Sequence, residues 1–247
     1  MILEALAYGA IIGLAFPAGA LVARLNRWGH RGFAVIMAIG AGLLLAAALV
    51  ELAPDAVAHL GLGRGVGVII GSAAIYSLIN YWLSKRGAKH RKRCGGCVAP
   101  ASEDEQSRSG SAIAVGTVMD AVPEALVLGV AAASMGTPSS LVIALFLGNL
   151  AQAASATSGL QESGRSPRFI WTLWMVLAVF VTLCAGLAAF LANGVGDAFS
   201  GVLMGVASGV LLAMISEAML PEASEGSTPL IGVMTAAGAG LFLMLHH

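Results

Sequence analysis

Charge is what this chain has least of. Only 11% of its 247 residues are Asp, Glu, Lys or Arg, against roughly 25% in a soluble domain. A surface so poor in charge cannot face water on every side. The formal net charge is zero, so whole-molecule charge predicts no nucleic-acid partner. Cysteine is scarce as well, with three in all. Cys184 falls in an apolar run and is expected to pack there, and no disulfide framework is implied. The opening residues Met1-Ile2-Leu3-Glu4 lack the basic segment of a cleaved signal, so the first apolar run reads as a retained helix. No nucleophile–base pair or nucleotide loop occurs in an exposed segment, and an enzyme is not expected.

Apolar residues take the place of charge. They make up 58% of the chain, and the mean hydropathy is +0.88. Eight runs stand out, at about 2–23, 33–53, 65–83, 111–134, 139–160, 169–191, 199–220 and 228–245. Each is long enough to cross about 30 Å of hydrocarbon at about 1.5 Å per residue. The expected fold is all-α: one transmembrane domain, residues 1–247, of eight helices. Glycine is abundant, at 32 residues, and small residues let helices approach closely where lipid gives no hydrophobic drive.

The break at 84–110 is long and charged and reads as a flexible cytoplasmic loop. If the N-terminus is outside, 12 of the 13 Lys and Arg fall in inside loops, leaving only Arg64 outside. That bias puts both termini on the outer or periplasmic side, with a bacterial inner membrane as the expected location. Residues 40–56 also align without gaps on 207–223, with six of 17 positions identical, including Gly42 with Gly209 and Pro54 with Pro221. The two segments lie on spans of opposite direction, the mark of an inverted repeat.

Charges inside such spans are costly and mark function by default. Asp120 and Glu124, four apart in the fourth run, share one helix face. Pro123 between them cannot donate to the carbonyl of Met119 and predicts a kink. A freed carbonyl is tolerated in a membrane where it meets protein, a cavity or an ion. Asn149 and Gln152 share a face of the fifth run and supply neutral oxygens, or serve as interhelical hydrogen-bonding glue. Glu217 lies in the seventh run. Glu51 lies near the outer end of the second, where water can reach it. Were Asp120, Glu124 and Glu217 to meet at mid-membrane, they would hold protons or a neutralising cation, and metal binding would release those protons. Cys94-Gly-Gly-Cys97 with His90 is a weaker metal signal, one ligand short of a closed site.

These residues resemble the ZIP (Zrt/Irt-like) metal transporters, whose fourth span carries His-Asn-x-Pro-Glu-Gly and whose fifth carries His/Gln-Asn-x-Pro-Glu. Here the fourth reads Asp120-Ala121-Val122-Pro123-Glu124-Ala125 and the fifth Gly148-Asn149-Leu150-Ala151-Gln152. Glu217 is similar to that family's acidic residue in the seventh span, and Glu51-Leu52-Ala53-Pro54-Asp55 to the end of its second. The resemblance covers nearly the whole chain. It implies a carrier bringing divalent metal to the cytoplasm, with Asp120, Glu124, Asn149, Gln152 and Glu217 around the ion. Ala121, Gly148 and Gln152 depart from the motifs, which leaves at most one well-formed metal position. An all-oxygen set suits harder ions; zinc leads by resemblance alone, with manganese, iron and cadmium as further candidates. The metal is cargo, and no organic cofactor is implied. The other expected partner is the bilayer, and a homodimer is compatible with the reading. A carrier of another proton-coupled solute and a non-transporting metal sensor stay open as alternatives.

Overall fold

A computed structural model of the chain describes residues 2–25, 29–85, 116–118, 120–121, 124–129, 131–132, 139–193, 196–225 and 230–246. Helix dominates these residues, and no strand occurs among them. Six helices are long and apolar enough to cross a membrane: Ile2–Arg24, Ala34–Leu60, Leu62–Trp82, Ser140–Gln161, Pro167–Leu191 and Ala198–Ser224. The chain is thus a helical protein of membrane-spanning character. Of the two remaining expected spans, 111–134 lies partly outside the described residues, and the last is an apolar helix of 16 residues, Ile231–His246. The 86–110 part of the expected loop, with His90, Cys94 and Cys97, also lies outside them.

In chain order the helices are α1 (Ile2–Gly13), α2 (Ala15–Arg24), α3 (Gly29–Ala46), α4 (Ala53–Leu60), α5 (Leu62–Lys85), α6 (Ser139–Glu162), α7 (Pro167–Asn193), α8 (Asp197–Met214), α9 (Leu220–Glu225) and α10 (Ile231–His246). The described parts of 116–132 are helical too. The first span is divided into α1 and α2 at Leu14, three residues before Pro17, whose ring nitrogen cannot donate to Gly13. Phe16 of α2 stacks on Trp174 of α7 at 5.9 Å, and the Trp174 indole N–H donates to Thr157 Oγ1 of α6 at 2.9 Å. Those contacts tie α2, α6 and α7 into one wall.

Two π-helical turns interrupt the long spans. Ala47–Leu52 joins α3 to α4, and Ile215–Met219 joins α8 to α9. In the first, the Ala53 N–H bonds the carbonyl five residues back, at Ala48. In the second, the Leu220 N–H bonds that of Ile215. Each turn is followed, one residue later, by a proline, Pro54 or Pro221. A proline lacks the donor and its ring crowds the carbonyl four residues back. Widening the preceding turn moves that carbonyl aside, so the helix continues. The expected ends at 53 and 220 are therefore exceeded: the helices run on to Leu60 and Glu225. Gly61, at φ 77°, then stops α4 in a conformation that an L side chain resists.

Glycines set the close helix crossings. A Cβ on Gly42 of α3 would strike the Thr235 carbonyl oxygen of α10, and one on Gly209 of α8 would strike the Ile69 carbonyl oxygen of α5. So α3 docks on α10 and α8 docks on α5. Gly42 and Gly209 hold the same place in the two aligned segments, as do the π-turn acceptors Ala48 and Ile215.

Candidate functional site

The polar interior begins on α6. Asn149, Gln152 and Ser155 recur every three residues, so they lie along one helix face, and all three are buried. Asn149 Nδ2 donates to Glu124 Oε2 and also to its own helix at the Leu145 carbonyl, 2.9 Å away. Because both neighbours are acceptors, the amide can present only its nitrogen to them. Gln152 Nε2 donates to Met219 Sδ at 3.7 Å, on the second π turn. Ser155 Oγ donates to Glu222 Oε1 on α9.

Asp120 and Glu124 are only 2% and 1% exposed. Tyr76 of α5 reaches Asp120, its hydroxyl donating to Oδ1 at 2.7 Å. A phenol and a carboxamide are neutral donors. They fix the two carboxyl groups in place without themselves cancelling a charge. Pro123 and its expected kink lie outside the described residues.

Glu217 stands apart from these two. Its side is exposed, and it accepts from Ser77 Oγ and from Asn80 Nδ2 at 2.8 Å, both on α5. Among the described residues, no three His, Cys, Asp or Glu side chains are grouped to hold a metal ion. The structure thus joins Glu124 to Asn149 and sets Gln152 one turn further along α6. It directs Asp120 and Glu217 to a shared turn of α5, Tyr76 to Asn80.

That turn escaped the sequence reading. Ser72, Tyr76 and Asn80 repeat at four-residue spacing in the third apolar run, a stripe that was available as a signal. Ser155 likewise extends the spacing of Asn149 and Gln152. Glu222 belongs to α9 and bonds α6. Glu51 needs correcting. It was expected near a wetted end, yet it is 4% exposed, because the helix runs past Pro54 and leaves Glu51 well inside the span.

Gly148 has a physical reason for carrying no side chain. A Cβ on it would lie 2.8 Å from Leu44 Cδ1, and a Cβ on Gly40 of α3 would lie 3.2 Å from the Gly148 Cα. The α3–α6 crossing fills the space that a His or Gln would need. No protein-family model matches the chain, and no curated protein is significantly similar to it.

Proposed function

We propose that the chain is a ZIP-like carrier that moves a divalent cation toward the cytoplasm. One observation carries the reading. Two carboxyl groups one helical turn apart, Asp120 and Glu124, are sealed in a bundle of membrane-spanning character, with Glu124 held by Asn149 from the neighbouring helix. Carboxylates are expensive in hydrocarbon and pay their way there as stations for cations or protons. Tyr76 and Asn149 hold the two groups, while Gln152 and Glu217 supply further oxygens along the route. The set is all oxygen, which favours hard or borderline divalent ions. Zinc is the first candidate by resemblance, followed by manganese, iron and cadmium.

Alternating access fits an eight-helix bundle built as an inverted repeat. Several matched pairs support that repeat: Gly42 with Gly209, Pro54 with Pro221, and the two π turns. The dockings of α3 on α10 and of α8 on α5 agree with it. In such carriers one repeat rocks against the other about a site near the midplane.

The test is metal uptake into vesicles. Glu124→Ala lowers initial uptake of zinc and manganese to the level of empty vesicles, while the protein still inserts and purifies as the wild type does. Uptake equal to wild type would sink the assignment.

A further inference from the structure

Outside Asp120 and Glu124, one other acidic side chain among the described residues is more than nine-tenths buried: Glu51, in the first π turn. Neither of its oxygens has a hydrogen-bond partner. Asp55 lies four residues on, and its Oδ2 is buried and unbonded in the same way. A carboxyl group in that condition has lost water and gained no hydrogen bond in return. Across from it stands α10. His246 Nδ1 is 3.9 Å from Glu51 Oε2, and the imidazole is stacked on the fully buried Phe242 ring at 5.5 Å.

The distance is informative. It exceeds the roughly 3.2 Å reach of a nitrogen–oxygen hydrogen bond. It is nearer the gap between two ligands of one small cation. Bonds of about 2.0–2.2 Å to a tetrahedral ion hold neighbouring donor atoms about 3.4 Å apart. The imidazole is 29% exposed, so an ion can approach from that side while Glu51 waits within.

We propose that Glu51 and His246 form a second divalent-cation station, separate from Asp120 and Glu124, which Asp55 joins by a change of rotamer. The mixed nitrogen and oxygen set selects a borderline transition ion such as zinc, where the Asp120–Glu124 set is all oxygen. With no third His, Cys, Asp or Glu side chain grouped with them among the described residues, water fills the open positions. The station therefore exchanges its ion readily, as a point of passage does and a structural zinc site does not. It stands whether or not the carrier reading does.

The experiment counts zinc, added alone, on the purified full chain in lipid nanodiscs, and records the X-ray absorption edge of the bound metal. The variant Asp120→Asn with Glu124→Gln retains one zinc ion, whose spectrum shows imidazole scattering. Adding His246→Asn removes the imidazole signature and weakens binding at least tenfold. Adding Glu51→Gln weakens it comparably. His247→Asn is the control that leaves both unchanged. The proposal is overturned if the double variant, still monodisperse, binds no zinc or binds it without imidazole. It is equally overturned if Glu51→Gln and His246→Asn leave binding undiminished. Loss of the carrier reading would show elsewhere, as uptake that survives Glu124→Ala.

Discussion

The two π-bearing spans, Ala34–Leu60 and Ala198–Ser224, are built alike and are buried to the same extent, 67%, yet they treat their carboxyl groups in opposite ways. Glu51 is sealed inside with no hydrogen bond. Glu217 is exposed and accepts from Ser77 and Asn80. The cause is one residue of register. Glu51 stands three residues before its proline and Glu217 four before its own. In the aligned segments Glu217 therefore pairs with Val50, itself 39% exposed, and Glu51 pairs with Ala218. One step along a helix turns a side chain by about 100°, enough to carry it from the interior to the outer face.

The largest effect should come from the crossings that the two spans share. Gly42→Leu and Gly209→Leu each drive a side chain into the backbone of the facing helix, and each should cost about 3 kcal/mol or more. The readout is the folded, monodisperse fraction and its thermal midpoint. Similar losses would sharpen the equivalence of the two spans; a silent Gly209→Leu would break it. Next in size is a pair of opposite signs. Glu51→Leu removes a buried, unbonded carboxyl and should stabilise the metal-free protein by about 1–3 kcal/mol. Glu217→Leu strands two donors and should destabilise it by about 1 kcal/mol. Midpoints that move the same way would show that burial does not separate the two groups. The smallest effect is that of Ser77→Ala or Asn80→Ala, about 0.5–1.5 kcal/mol each. In a double-mutant cycle most of either loss should vanish once Glu217 is already Leu.

Much of this was legible in the chain. Apolar run lengths announced the spans, and Asp120 and Glu124 stood out because hydrocarbon penalises charge wherever it sits. What the letters concealed was rotation. Glu51 and Glu217 lie one residue out of register beside their prolines, and which of them faces inward follows only once the helix phase is known. The π turns hid the true helix ends, since a proline reads as a stop unless the preceding turn makes room for it. Tyr76 was overlooked because its ring is apolar and only its hydroxyl marks the site, and Gly148 because a close helix crossing appears in sequence merely as a missing side chain.

A π turn holds one more residue than the α turn it replaces. In genetic terms each is a place where a single codon can be lost without breaking a span. Deleting Leu49 would let the first relax to plain α-helix, with α3 and α4 both kept in phase. Where most helices accept only point changes, these two spans carry a built-in allowance for length.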